Sequence, residues 1–230
     1  MLICDKKEIA QMLIKQLDNY GWNYNKEVVL SYLDIVLERI KECREDLVAA
    51  QCADGNVQFS PYHSGSYSVF LYYLSNSLGK DGHNREAEVV YYLNKVMHAN
   101  DWFYQVDLPK HFWAEHPLGS VLGRAQYGDY FFVYQGTTVG GNRKRQDGRN
   151  VLEYPRIGDN VTLYANSTVL GNTKIGNNVI ISANSYLINE EIPDNCIVFG
   201  QSPNIIIKKK TEKEIQEMTE HIWGFDNKER

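Results

Sequence analysis

An aliphatic residue recurs at every sixth position between residues 157 and 187. The repeated positions are Ile157, Leu163, Val169, Ile175, Ile181 and Leu187. An α-helix repeats its apolar face every three to four residues and a strand every two, so neither produces this period. A fixed six-residue repeat instead predicts a parallel β-helix, in which three short strands and three corners close one triangular coil.

The same spacing extends towards the N-terminus through Val121, Tyr127, Val133 and Val139. Polar, glycine-rich and basic residues 140–150 then interrupt it. This segment is interpreted either as a solvated loop at one corner or as a loop that reaches over a neighbouring subunit and covers a site. The sequence leaves both interpretations open.

The composition of the 230-residue chain is typical of a soluble globular protein, with 43% hydrophobic and 23% charged residues. A net charge of −5 gives no reason to expect a nucleic-acid partner. No apolar run is long enough to span a membrane, and charged residues follow the first four at once, so we expect neither a membrane span nor a signal peptide. The four cysteines lack metal-type spacing, which favours a cytoplasmic protein with free thiols and no metal. They are Cys4, Cys43, Cys52 and Cys196.

Helical periodicity precedes and follows the six-residue repeat. Apolar residues at helical spacing predict helices within residues 6–46, 64–79 and 85–98, and the last twenty residues predict a charged C-terminal helix with a polar tail. The predicted fold class is therefore α+β. It has an N-terminal helical bundle (1–104), a parallel β-helix with an extended loop (105–210) and a C-terminal helix and tail (211–230).

Several motifs share the order and spacing of one enzyme family. They are FYQVD at 103–107, EHPLGSVLG at 115–123, QGTTVGG at 135–141, YPRIGDNV at 154–161, LGN at 170–172, IPDN at 192–195 and GQSP at 200–203. Residues 102–207 thereby resemble the serine O-acetyltransferases, a branch of the hexapeptide-repeat, left-handed β-helix acyltransferases. The resemblance implies a left-handed coil and acetyl-CoA-dependent O-acetylation, which in this family converts L-serine to O-acetylserine in cysteine biosynthesis.

Acetyl transfer from a thioester to a hydroxyl requires a base for the hydroxyl proton and donors for the developing oxyanion. The resemblance implies that His116 is this base and that Glu115 helps to hold the acceptor. It also implies that Asp107 orients the histidine, as the carboxylate of a catalytic dyad does. Asp107 lies only nine positions before His116, one hexapeptide fewer than in the family, so contact between them is an open question.

Two departures from the family concern the acceptor. Glu153 and Tyr154 replace the Arg-His pair that precedes the proline after the extended loop. A glutamate repels a substrate carboxylate and a tyrosine can stack on a sugar ring, so a sugar or nucleotide-sugar acetyltransferase of surface polysaccharide biosynthesis is the alternative function. His63 and Ser66, just before a helix, are candidates for the acceptor side in place of the family's acidic residue, or else form a helix N-cap.

The resemblance further implies that coenzyme A lies in a groove between subunits and meets small residues there. Gly141, Ala165 and Ala183 match such positions, and an N–H of the Gly140-Gly141 turn could serve the oxyanion. Lys208, in a run of three lysines, is either a phosphate contact or part of a solvated charge run. The expected partners are acetyl-CoA, a small acceptor with a hydroxyl group and further copies of the chain, as a homotrimer or a dimer of trimers. A non-catalytic β-helix scaffold that binds a partner through its helices is the third possibility.

Overall fold

The computed structural model of the chain describes residues 5–48, 59–146 and 148–224. The predicted α+β architecture is confirmed, because N-terminal helices precede a three-sided parallel β-helix and one further helix follows it. The helices are α1 (Lys6–Asn19), α2 (Lys26–Ser31), α3 (Leu33–Glu45), α4 (Ser64–Lys80), α5 (Asn84–His98) and α6 (Glu212–Thr219).

Parallel strands build three faces, which the chain visits in the order A, C, B in each coil. Face A contains β1 (Asp101–Trp102), β3 (Val121–Leu122), β6 (Thr138–Gly140), β11 (Thr168–Leu170) and β14 (Tyr186–Ile188). Face C contains β4 (Gln126–Tyr127), β9 (Arg156–Ile157), β12 (Lys174–Ile175) and β15 (Glu191–Ile192). Face B contains β2 (Phe112–Ala114), β5 (Phe131–Val133), β10 (Val161–Leu163), β13 (Val179–Ile181) and β16 (Cys196–Gln201). This arrangement agrees with the predicted left-handed β-helix.

Three strands lie outside the regular coils. A hairpin of β7 (Asn142–Gln146) and β8 (Arg149–Glu153) projects between faces A and C, and β17 (Asn204–Lys209) runs antiparallel to β16. The predicted loop at 140–150 is therefore a β-hairpin, with two apolar side chains exposed at Val151 and Leu152. We name the three corners by the faces that they join: AC, CB and BA.

Helix α1 shows why the N-terminal segment is helical. Asp5 accepts a hydrogen bond from the Glu8 N–H at 2.8 Å and Glu8 accepts one from the Asp5 N–H at 3.0 Å, which closes a capping box. Ile9, Leu13 and Leu17 then recur at every fourth position and are buried. The predicted helices at 6–46, 64–79 and 85–98 are confirmed, and one apolar core joins them to the coils. The division into domains at residue 104 stays a prediction.

The six-residue repeat supplies the inside of the β-helix. The predicted inward residues from Ile157 to Leu187 are all buried and stack on their equivalents in the next coil. Val121 is the exception: it is 39% exposed, and its neighbour Leu122 points inward and pairs with Val139. The count of six fails there because only five positions separate Leu122 from the next inward residue, Tyr127.

Asparagine side chains stabilise the CB corner. Asn160, Asn178 and Asn195 all adopt positive φ, which asparagine tolerates better than most residues. The amide of Asn160 donates to Asn178 and that of Asn178 donates to Asn195, each at 3.0 Å. Each corner therefore fixes the position of the next along the axis.

Face B is covered on its outer side. Its middle residues point away from the coil interior, because side chains alternate along a strand, yet none is more than 7% exposed. These residues are Trp113, Phe132, Thr162, Ile180 and Ile197. Ile215 of α6 packs on Ile180 and Ile197, the ring of Trp223 meets that of Phe132 at 6.2 Å, and Arg44 of α3 lies over Trp113.

The two described cysteines are free thiols, as predicted. Cys43 and Cys196 are buried, and burial raises the pKa of the first to about 12 and of the second to about 11. Cys4 and Cys52 lie outside the described residues. None of the helices in the described ranges has the length and apolar character that a membrane span requires.

The packing of α6 on face B predicts a specific loss of stability. Ile215→Ala should lower the free energy of unfolding by about 2–4 kcal/mol, because it removes a completely buried aliphatic side chain and leaves a cavity. Met218→Ala on the same helix is the control and should change it by less than about 0.5 kcal/mol, because Met218 is exposed. Urea unfolding of the two variants provides the measurement. Equal losses would show that α6 does not pack through Ile215.

Candidate functional site

His116 lies in a BA corner that is longer than the corners stacked on it. Ala114 pairs with Val133 and Val121 pairs with Thr138, so residues 115–120 face only residues 134–137 of the next coil. The two extra residues make the corner protrude from the β-helix. His116 takes a φ of +50° in this bulge and its side chain is exposed.

Buried hydrogen bonds hold the protruding corner in place. The indole N–H of Trp102 donates to Ser120 Oγ at 2.9 Å, and that hydroxyl donates to the Pro117 carbonyl at 2.6 Å. The Gly119 N–H donates to the Ala99 carbonyl at 3.0 Å. The backbone on the C-terminal side of His116 is thus tied to the coil below it, which restricts where the imidazole can lie.

The N-terminus of α4 approaches this corner. His63 Nε2 lies 3.5 Å from Glu115 Oε1, and His63 Nδ1 accepts a hydrogen bond from the Ser66 N–H at 3.2 Å. Close contact requires Gly65, because a Cβ there would overlap the Ala114 carbonyl oxygen. The structure therefore brings together the predicted residues His63, Ser66 and Glu115, and His116 follows Glu115 in the chain. His63 and Ser66 also form the predicted N-cap.

A buried arginine contacts the N-terminus of α4. Arg44 is 2% exposed, and its guanidinium donates to Ser66 Oγ at 3.2 Å. Ser66 Oγ in turn lies 3.3 Å from His63 Nδ1. A series of polar contacts thus runs from α3 through Ser66 and His63 to the carboxylate of Glu115, the residue that precedes His116.

Two buried oxygens at this corner have no hydrogen-bond partner among the described residues: Glu115 Oε2 and Gln135 Oε1. Gln135 lies one coil above His116, since the Gly136 N–H donates to the Leu118 carbonyl and the Glu115 N–H donates to the Val133 carbonyl. Buried acceptors are usually satisfied by a donor, so these two oxygens are exceptions. Sequence reasoning missed Gln135, because a regular coil of 18 residues would place Tyr134 over His116, whereas the pairing of Ala114 with Val133 shifts the register by one residue.

Small residues occupy the BA corners further along the axis. Ala165 and Ala183 occupy the equivalent corners two and three coils beyond His116, and the rings of Tyr134 and Tyr164 next to these corners stack with centroids 4.9 Å apart. Lys208 lies further along, with its ammonium 5.1 Å from the centre of the Phe199 ring. A role for Ala165, Ala183 and Lys208 in contacting the cofactor stays a prediction.

The other predicted residues lie at the AC corner. Tyr154 packs its ring against Gly141, where a Cβ would come within 2.7 Å of the ring, and Gly140 and Gly141 immediately precede the hairpin. Tyr154 and Asp107 line a cavity of about 680 Å³ at the base of the hairpin. Within one chain, the predicted site is therefore divided between two corners of face A.

Asp107 and His116 are not joined by any hydrogen bond or ion pair that the structure describes. Asp107 instead pairs with Lys80 at 2.8 Å, and this ammonium holds the pKa of the carboxyl below its usual range. Strand β1 pairs with β3 in face A, with Asp101 opposite Val121. Asp107 comes after β1 in the chain and lies at the AC corner, where it lines the cavity. A role for Asp107 in orienting His116 stays a prediction.

The corner combines an exposed imidazole with the carboxylate of the preceding residue. An exposed imidazole can take a proton from a hydroxyl, and Glu115 Oε2 can accept a hydrogen bond from the same molecule. No three His, Cys, Asp or Glu side chains in the described part of the chain are grouped to hold a metal ion.

A buried histidine near the corner predicts a pH-dependent stability. His98 is 6% exposed and its Nδ1 lies 2.7 Å from Asn94 Oδ1; burial lowers its pKa to about 4. In the unfolded chain, His98 binds a proton near pH 6.5. The free energy of unfolding is therefore highest above that pH and falls as the pH drops towards 4. Lowering the pH from 7 to 5 should cost about 2 kcal/mol through His98.

Denaturant unfolding of the wild type and of His98→Gln at several pH values tests this. The variant should lose less stability between pH 7 and 5 than the wild type does, whatever its absolute stability. His221→Gln, at an exposed histidine, should keep the wild-type pH dependence. The same pH dependence in all three proteins would contradict the argument.

Comparisons with known proteins agree with the fold and motifs. Residues 154–189 match the family model described as bacterial transferase hexapeptide (six repeats). A serine acetyltransferase of Staphylococcus epidermidis is 28% identical over 133 residues, which cover 56% of this chain and 61% of that protein. The chain thus spans about three fifths of the length of the curated relatives that it matches.

Solved structures share the architecture over more of the chain. A serine acetyltransferase from Brucella abortus strain S19, in complex with coenzyme A, is 18% identical with a TM-score of 0.66 and covers 91% of this chain and 84% of its own. A Neisseria gonorrhoeae serine acetyltransferase, in complex with serine, is 23% identical with a TM-score of 0.56 and covers 77% and 74%. At these identities the likeness establishes the fold. The resemblance to serine acetyltransferases is confirmed.

Proposed function

We propose that this chain is an acetyl-CoA-dependent O-acetyltransferase that acetylates the hydroxyl of L-serine. The observation that carries the proposal is the protruding BA corner, where His116 is exposed and the carboxylate of the preceding Glu115 lies 3.5 Å from His63. The serine acetyltransferases of Staphylococcus, Brucella and Neisseria support it, the second because its structure contains coenzyme A and the third because its structure contains serine.

The residues of the corner have separate roles in the proposed reaction. Acetyl-CoA supplies the acetyl thioester when bound. His116 takes the proton of the acceptor hydroxyl as that oxygen attacks, and later returns it to the departing thiolate. Glu115 Oε2 and Gln135 Oε1 accept hydrogen bonds from the acceptor and set its position relative to the imidazole.

The hydroxyl attacks the thioester directly, without an acylated side chain. The described thiols, Cys43 and Cys196, are buried and their raised pKa keeps them protonated, so neither is an effective nucleophile. An N–H of the Gly140-Gly141 turn is the proposed oxyanion donor. Ala165, Ala183 and Lys208 are the proposed contacts of the cofactor along the groove.

Two copies of the chain complete one site in this proposal. His116 and the Gly140-Gly141 turn lie at opposite corners of face A, and α6 together with the helices covers face B. The exposed Val151 and Leu152 of the hairpin suit contact with a neighbour. We therefore propose a homotrimer, or a dimer of trimers, in which the AC corner of one subunit meets the BA corner of the next. The cytoplasmic location stays a prediction.

Replacing His116 by alanine should lower kcat for thiol release from acetyl-CoA by about 10²- to 10⁴-fold, because the general base is removed. His221→Ala is the matched control, since His221 is exposed and distant in sequence from both corners, and it should retain wild-type activity. Circular dichroism would confirm that both variants fold. Unchanged turnover in His116→Ala would refute the mechanism.

The acceptor is identified by thiol release with L-serine in one assay and a panel of sugars and nucleotide-sugars in others. We expect turnover with serine. Turnover with a sugar alone would favour the polysaccharide alternative, in which Tyr154 stacks on the ring. Slow hydrolysis of acetyl-CoA that no acceptor accelerates would support the scaffold interpretation.

The shared site predicts a mass in solution of about 80 kDa or a multiple of it, because three 26.5 kDa chains are required. Light scattering coupled to size-exclusion chromatography, with the activity of each fraction assayed, gives this mass. Activity in a fraction of monomer mass would rule out the shared groove.

A further inference from the structure

We propose that Arg124 and Arg156 form the subsite that binds the carboxylate of the acceptor. This inference rests on the proposed function, because it assigns residues to the acceptor half of the same site. Glu153 and Tyr154 stand where the family has an Arg-His pair, which counted against an acceptor that carries a carboxylate. The two arginines would bind that carboxylate in place of the missing pair.

The two arginines line the cavity of about 680 Å³ at the base of the hairpin. Arg156 lies in β9 of face C, on the strand that pairs with β4, and Arg124 lies two residues before β4 at the AC corner. The strands are adjacent, about 4.8 Å apart, so both guanidinium groups can reach one ligand. Asn172 and Tyr154 also line the cavity and add an amide and a phenol.

The charges of the cavity favour an anion. Its two carboxylates already have cations nearby: Asp107 pairs with Lys80 at 2.8 Å, and Glu153 lies 4.0 Å from Lys144. Arg124 and Arg156 have no side-chain hydrogen bond or ion pair with any described residue, and both are exposed. Two uncompensated guanidinium groups therefore face the cavity, and their planar donors match a carboxylate.

The position of the cavity favours the acceptor over the phosphates of the cofactor. Strand β3 runs directly from the His116 corner to the corner of Arg124, so both belong to the same coil. The proposed cofactor contacts Ala165, Ala183 and Lys208 lie in later coils or beyond them. In the proposed trimer, equal coils of neighbouring subunits lie at the same height along the axis. The arginines of one subunit therefore meet the His116 corner of its neighbour.

The test compares L-serine with L-serinamide, which keeps the hydroxyl and the amine and replaces the carboxylate by a neutral amide. Arg124→Gln and Arg156→Gln should each raise KM for L-serine by at least about tenfold, because a charged hydrogen bond to the carboxylate is lost. Their KM for L-serinamide and for acetyl-CoA should stay within about twofold of the wild type, since neither contact changes. Lys174→Gln is the matched control and should leave every KM unchanged. Lys174 lies beside Arg156 on the next strand of face C and forms an ion pair with Glu191.

Three outcomes would overturn the subsite: an unchanged KM for L-serine in both variants, an equal rise for L-serinamide, or a rise for acetyl-CoA instead. Calorimetric titration of L-serine separates this failure from failure of the proposed function. Binding that weakens in the arginine variants, with no turnover in the wild type, would retain the subsite and refute the acetyl transfer. Turnover of a sugar without binding of serine would refute both.

Discussion

The stacking of one coil on the next is the interaction on which the rest of the structure depends. Inward aliphatic side chains cover one another along the axis, and each strand pairs with the strand of the next coil. Corners that hold the same number of residues preserve this stacking. A corner with extra residues must therefore protrude, and the two large departures are the His116 corner and the hairpin. Both candidate clusters lie at these two irregular places, because the regular coils present nearly the same surface in every repeat.

The covering of face B decides which surfaces remain available. Trp113, Phe132 and Ile180 would be an exposed apolar stripe if the coils stood alone, and burial of such area is favourable. Helix α6 and the N-terminal helices cover the stripe, and they place the start of α4 against the His116 corner at the same time. The support of Glu115 by His63 is thus a consequence of packing that also stabilises the fold.

Much of the fold could be predicted because periodicity is a local property. The inward residues from Ile157 to Leu187 follow from their spacing alone, and the helices follow from theirs. The prediction was wrong at Val121, where a corner is one residue shorter, because the pairing of Leu122 with Val139 depends on the whole coil. The hairpin was predicted only as a loop, since its basic residues carry no clear strand alternation.

The candidate site was predictable in its residue types and not in its grouping. The sequence by itself determined a six-residue repeat, the Glu115-His116 pair and small residues at later corners. Only the tertiary structure decided that Asp107 pairs with Lys80, that Gln135 lies over the His116 corner, and that Arg124 and Arg156 share one cavity. The physical reason is that the alignment of residues in neighbouring coils depends on how many residues each corner holds. A single segment of sequence does not show the lengths of the other corners.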